Sequence, residues 1–153
     1  MSDKIQKFDP ETFVREAYAT AERMDLEGFK SLFADDGVFI DESVKITYAG
    51  PNDWDYPVRN YGTAFADMHR ELYDFWTLGN TVFVRLALQG THTGPLQTPF
   101  GTIPPTGKRM DAPCVDIWEL DNGKIKKFDC YPSGSIILTQ LGVIENLEGA
   151  LSH

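Results

Sequence analysis

The stretch 109–132, RMDAPCVDIWELDNGKIKKFDCYP, reads as two β-strands folded back on each other. Their turn is Leu120-Asp121-Asn122-Gly123-Lys124, and Asn-Gly tolerates the positive φ angles a tight hairpin needs. Along 108–120 the side chains alternate. Met110, Ala112, Cys114, Asp116, Trp118 and Leu120 share one face, while Arg109, Asp111, Pro113, Val115, Ile117 and Glu119 share the other. The first face is the more apolar and carries one carboxylate, as the wall of a covered cavity would. A three-residue turn predicts that Leu120 pairs with Lys124, Asp116 with Phe128 and Cys114 with Cys130, on a second strand over 124–132. Upstream, 81–92 is another β-rich run, with Val84, Leu86, Leu88, Gly90 and His92 on one face.

N-terminal to these strands the period changes. Asp9-Pro10-Glu11 starts a helix, with a capping carboxylate, proline at the first position and an acid near the positive end. Phe13, Val14, Ala17, Tyr18, Ala21 and Met24 follow at helical spacing. Asp25 opens a second, short helix with Leu26, Phe29, Leu32 and Phe33 inward, and Ala34-Asp35-Asp36-Gly37 stops it. Val38 to Tyr48 reads as a strand containing Asp41. Residues 49–60, with two prolines and Trp54, read as a loop over a pocket mouth. Thr63 is expected to cap a third helix that carries Phe65, Met68, Leu72, Phe75 and Trp76 and ends at Gly79-Asn80. The segment 92–108 is a long connection, and a last helix is expected over 135–141, ending at Gly142. Helices first, then antiparallel strands, predict an α+β domain whose helices cover one face of a bent sheet. The whole chain, 1–153, reads as one domain, with 1–9 a flexible start and 144–153 a tail.

Composition removes several classes. The formal net charge is -9 and no basic run stands out, so neither nucleic acid nor an anionic membrane is an expected partner. No apolar run is long enough to cross a bilayer, and the polar N-terminus lacks a signal-peptide core, so a cytoplasmic location is expected. Two cysteines do not make a disulfide framework. The three histidines are far apart, with no Cys-x-x-Cys and no phosphate-binding glycine loop, so neither a metal nor a nucleotide cofactor is expected.

In this order the motifs resemble the nuclear transport factor 2-like superfamily, and within it the SnoaL-like polyketide cyclase group. They are Phe33-Ala34-Asp35-Asp36, Gly90-Thr91-His92-Thr93-Gly94, Ile103-Pro104-Pro105-Thr106-Gly107-Lys108, Asp116-Ile117-Trp118 with Gly123-Lys124-Ile125, and Gln140-Leu141-Gly142-Val143. The resemblance runs from about residue 12 to residue 143. It implies a cone-shaped fold, a curved mixed or antiparallel sheet with three helices from the N-terminal half enclosing a pocket. It leaves the reaction open, because one fold hosts many chemistries. At two points, Asp41 and Asp116, the frame also resembles ketosteroid isomerases. Asp41 falls at their catalytic base, Asp116 at their protonated oxyanion-hole aspartate, and Tyr18 lies one residue from their oxyanion tyrosine. The acid/base aspartate of the polyketide cyclases corresponds to Cys130; neighbouring Asp129 points to the opposite face. The Asp-Arg-Asp set of limonene-type epoxide hydrolases corresponds to Leu88, Leu86 and Cys130, which disfavours that reaction.

The resulting expectation is a cofactor-independent isomerase or cyclase that moves a proton on a small hydrophobic carbonyl compound of polyketide, terpenoid or steroid size. A non-catalytic protein binding a small apolar ligand is the alternative. Asp41 and Asp116 are the candidate base and oxyanion partner, with His92 or Tyr18 assisting. Trp54, Phe65, Met68, Leu86, Leu88, Cys114, Trp118, Phe128 and Cys130 are the candidate lining. A carboxylic acid in so apolar a pocket is expected to titrate high and to donate a hydrogen bond. His92 equally suits a structural bridge between strand and loop. Val115, Ile117 and Tyr131 supply apolar area for an expected homodimer through the outer sheet face.

Overall fold

Asp9 accepts a hydrogen bond from the Thr12 N–H and Pro10 takes the first helical position, which starts α1 (Pro10–Glu22) in a computed structural model that describes residues 7–144. Residues 1–6 and 145–153, which hold most of the start and tail expected from the sequence, lie outside the described residues. Met24 is exposed rather than inward: α1 has already ended, and Met24 takes a φ of 57° to turn the chain. Asp25 then caps the short α2 (Leu26–Lys30) through the Gly28 N–H.

The chain next forms β1 (Phe33–Asp41) and β2 (Ile46–Ala49), paired antiparallel, where one strand over 38–48 was expected. Lys45, at φ 58°, closes that hairpin. Ala34-Asp35-Asp36-Gly37 does not stop a helix. It is an irregular stretch inside β1, between the Phe33↔Ile125 and Val38↔Lys127 pairs. Gly37 sits there because a Cβ would lie 2.5 Å from the Ile125 carbonyl oxygen.

The largest departure follows. The third helix, α3 (Tyr56–Ala64), lies earlier than expected, with a proline in its first turn, and 69–78 is a strand, β3 (His69–Leu78). The helical reading had a physical cause. The register of β3 shifts between Leu72 and Asp74, so Leu72 and Phe75 both face inward across three residues, opposite Leu86 and Val84. A bulge inside a strand thus imitates the helical period. Gly79-Asn80 is the turn into β4 (Thr81–Thr91).

The remaining elements are a small hairpin, β5 (Leu96–Thr98) with β6 (Gly101–Ile103), the long pair β7 (Arg109–Asp121) and β8 (Lys124–Pro132), and α4 (Gly134–Gln140), followed by Gly142 at φ 75°. The main sheet runs β2-β1-β8-β7-β4-β3; β1 and β8 are parallel and every other pair is antiparallel. The β7–β8 turn has two residues, Asn122 (φ 49°) and Gly123 (φ 73°), so Asp121 pairs with Lys124. A register shift between Glu119 and Leu120 then sets Trp118 opposite Phe128, Asp116 opposite Cys130 and Cys114 opposite Pro132, each displaced from the expected pairing. The inward faces are nevertheless those read from alternation, and every even-numbered residue from Met110 to Leu120 is buried. Val14, Ala17, Tyr18 and Ala21 of α1, with Phe29 of α2 and Val58 and Ala64 of α3, join the concave face in one apolar core. No helix of the described residues is long and apolar enough to cross a membrane.

Candidate functional site

The concave face does not pack solid. Between it and the helices lies a pocket of about 560 Å³ of atom-free space, counted out to its mouth. Ala17, Tyr18 and Ala21 come from α1, and Pro57, Val58 and Tyr61 from α3. From the sheet come Phe39 on β1, Arg70 on β3, Leu88 on β4, Asp116 and Trp118 on β7, and Phe128, Cys130 and Pro132 on β8; Phe29 and Met68 complete the wall.

Most of this wall is carbon, and its polar groups are few and connected. The Tyr18 hydroxyl donates to Asp116 Oδ2 at 2.6 Å and accepts from Trp118 Nε1 at 3.0 Å. The Cys114 thiol donates to Asp116 Oδ1 at 3.3 Å, and the Cys114 and Cys130 sulfurs are 3.9 Å apart. Trp118 stacks on Phe128 at 3.8 Å between centroids, and Tyr18 meets Trp118 edge-on. These rings fix the hydroxyl and the carboxyl in place. Asp116 is 2 % exposed. Burial pushes its pKa above the ordinary carboxylate range, while bonds from Tyr18 and the thiols and the charge of Arg70 pull the other way and lose. Burial likewise lifts the Tyr18 and Tyr61 hydroxyls. The Cys130 thiol pulls Cys114 down, but burial and the Asp116 carboxyl outweigh it and push Cys114 up to about 11. Cys130 is raised as well, first by its hydrogen bond with the Cys114 thiol and then by burial, which leaves a thiolate without solvation.

Of the residues singled out from sequence, Tyr18, Asp116, Met68, Leu88, Trp118, Phe128 and Cys130 line the pocket, and Cys114 stands behind it in contact with Asp116. Asp41 ends β1 on the side that carries Phe39, opposite Cys130, and its Oδ1 accepts from the Ser43 N–H and hydroxyl. It is not part of the lining, although its charge raises Tyr61. The other four lie outside. Trp54 stacks on Phe33 at 4.8 Å and donates to the Gly37 carbonyl at 2.9 Å. Leu86 and Phe65 are core. His92 is buried against Phe65, and its Nδ1 accepts from the Thr106 N–H at 3.2 Å, tying β4 to the following loop.

Sequence reasoning missed Arg70 and Tyr61. Arg70 was hidden by the helical reading of its segment; as a strand residue opposite Leu88 it would have been placed on the cavity face. Its side chain is 11 % exposed. Burial lowers its pKa and Glu22 supports it, but a guanidinium remains charged in proteins. Cys114, Asp116 and Cys130 offer three ligand atoms within 4.8 Å of one another, a donor set suited to a soft ion.

The family model for the SnoaL-like domain matches residues 14–128. No curated protein matches the chain. Among solved structures, a candidate SnoaL-like polyketide cyclase of Jannaschia sp. CCS1 superposes with a TM-score of 0.76 at 15% identity, over 95% of this chain and 99% of that one. IdmH, a candidate polyketide cyclase of Streptomyces antibioticus, gives 0.72 at 22% identity, over 89% and 100%. A protein of Catenulispora acidiphila with a ketosteroid isomerase-like fold, in complex with trimethylamine, gives 0.71 at 18% identity, over 86% and 92%. At these identities the likeness shows the fold alone.

Proposed function

The chain belongs to the SnoaL-like domain family, and we propose that its pocket moves a proton on a small apolar carbonyl compound of polyketide, terpenoid or steroid type, without a cofactor. The observation that carries this is Asp116, a carboxyl pushed toward its neutral form and tied to Tyr18 at 2.6 Å on the wall of an apolar pocket. A neutral carboxyl donates a hydrogen bond to a carbonyl oxygen, and the bond strengthens as negative charge develops there. Asp41 is assigned the base. It takes the proton from the carbon beside the carbonyl, leaving an enolate on the Asp116 hydrogen bond. Returning the proton to a more distant carbon isomerises the compound; attack of the enolate carbon on a second carbonyl cyclises it, and the alkoxide so formed takes the proton back from Asp41.

The ligand-binding reading is favoured by a different observation: Asp41 is outside the lining, and a thiol, Cys130, occupies the cyclase acid position. The two are separated with a panel of β,γ-unsaturated ketones, followed by the ultraviolet absorbance of the conjugated product. Turnover that falls at least about a hundredfold in Asp116→Asn and in Asp41→Asn supports proton transfer. Ketones that bind and return unchanged reject it in favour of simple binding. A homodimer through the outer sheet face belongs to the same proposal, with Val115 and Tyr131 exposed there opposite each other and Ile117 two residues along β7 on the same face.

A further inference from the structure

Arg70 is a full positive charge set into a wall of carbon. It leaves β3 toward the concave face, opposite Leu88, and lines the pocket together with Ala17, Ala21, Val58 and Phe128. A charge with only 11 % of its side chain exposed gains from a partner, and the protein supplies a poor one. The nearest carboxylate oxygen is Glu22 Oε1, 3.8 Å from a guanidinium nitrogen and beyond hydrogen-bond length. Glu22 is also engaged elsewhere. Its Oε1 accepts from the Arg70 backbone N–H at 2.7 Å, and its Oε2 lies 2.7 Å from His69 Nδ1. The other carboxyl of the pocket is Asp116, which burial drives toward its neutral, charge-free form. Among the described residues the guanidinium makes no hydrogen bond, so its planar fork of donors is left for whatever enters the pocket.

We infer that the pocket's ligand is an apolar carboxylic acid whose carboxylate is held by Arg70. The inference rests on the reading of this pocket as the place where a small apolar molecule binds, and it narrows the substrate class. A carboxylate matches the guanidinium fork in shape and charge. A single cation in a mostly carbon wall suits one negative charge. Arg70 and Asp116 line the same pocket, so a ligand with a carboxylate at one point and a ketone at another satisfies both at once. The substrate is then an oxo-acid. Its carboxylate anchors at Arg70, which orients the molecule, and its ketone oxygen accepts from Asp116, where charge develops.

The test compares 4-oxo-4-phenylbutanoate with its carboxamide, and 2-naphthoate with 2-naphthamide, by calorimetric titration of the full-length protein. These pairs differ in charge and hardly in size. The wild type is expected to bind each acid at least about tenfold more tightly than its amide. Arg70→Gln is expected to erase that difference by weakening the acid alone, and Arg70→Lys to restore part of it. Equal affinity for acid and amide in the wild type would overturn the inference without any variant being made. A preference for the acid that persists in Arg70→Gln would overturn it equally. Proton transfer is judged apart from this. Acid preference with no chemical change in any bound oxo compound rejects the proton-transfer reading and keeps the anchor; turnover of neutral ketones with no acid preference does the reverse.

Discussion

Replacing Tyr18 with phenylalanine takes one oxygen out of the pocket wall and leaves the ring that packs on Trp118 and Phe75. No cavity larger than that atom opens, so the effect is one of hydrogen bonds. Trp118 Nε1, in a residue 1 % exposed, loses the acceptor it has at 3.0 Å. A buried donor left unpaired costs about 1–3 kcal/mol. Asp116 loses the donor at 2.6 Å. That bond contributes about 1.5–3 kcal/mol when the carboxyl is ionised and about 0.5–1.5 kcal/mol when it is neutral. The sum is about 2.5–6 kcal/mol above the folded-state pKa of Asp116 and about 1–1.5 kcal/mol less below it. Domains of this size are stable by about 5–15 kcal/mol, so the loss is readily measured. The sign with pH follows from linkage. Burial raises the folded pKa of Asp116, so in the window between the ordinary carboxylate value and the raised one the native state binds more protons than the unfolded state, and stability falls as pH rises. Tyr18 opposes that shift, and without it the folded pKa climbs further. The gap between wild type and Tyr18→Phe therefore widens as pH rises through the raised folded-state pKa of Asp116. Urea unfolding followed by circular dichroism at a series of pH values measures it. A gap under about 1 kcal/mol, or one that narrows toward high pH, refutes the reasoning. In an Asp116→Asn background the gap should lose its pH dependence.

Three further outcomes are expected. With Cys114 pushed up to about 11 and Cys130 raised as well, about one Cys114 thiol in a thousand is ionised near pH 8. Iodoacetamide should then label the native protein at least about a hundredfold more slowly than the urea-unfolded chain, and comparable rates would contradict the buried thiol pair. His92 has its pKa lowered by burial, so its contribution to stability is present above about pH 6.5 and is lost as pH falls through that range, opposite in sign to Asp116. Its imidazole resonance should titrate below about 6.5, and a midpoint above that value would be inconsistent with a buried neutral ring. Sedimentation velocity should find a dimer that Val115→Arg together with Tyr131→Glu converts to monomer; a monomeric wild type would end the homodimer proposal.

What the sequence made legible follows from how local the signals were. Asn122-Gly123 needs only its own two φ angles to specify a hairpin, and the alternation from Met110 to Leu120 survives any even displacement of its partner strand. Asp116, Trp118, Phe128 and Cys130 could therefore be assigned to the cavity face, although the partner of each was misread. Asp9 and Pro10 act within one helical turn and were equally plain. The losses came where one residue changes the parity. The irregularity between Leu72 and Asp74 gave a strand the spacing of a helix and carried Arg70 out of sight with it. A two-residue turn in place of three, together with the one-residue shift near Lys126, moved Cys114 from Cys130 to Pro132. Trp54 and Phe65 are large aromatic residues near the pocket loops, but size does not tell a wall from a core; the partners of Trp54, Phe33 and the Gly37 carbonyl, are set by tertiary structure.

Cys130 determines how the rest of the site works. It stands opposite Asp116 across β7 and β8, at the position where the cyclase resemblance implies an acid. Two carboxyls facing each other there would share one proton, and the state of either would depend on the other. A thiol whose pKa is raised removes that coupling, because it stays neutral at physiological pH and gives Asp116 only a weak hydrogen bond. The protonation of Asp116 then answers to burial, which favours the proton, and to Tyr18, the two thiols and the charge of Arg70, which oppose it. A carboxylate bound to Arg70 cancels the last of these. The arrival of an acidic ligand would thus push Asp116 further toward its neutral, hydrogen-bond-donating form while a carbonyl is present to accept from it.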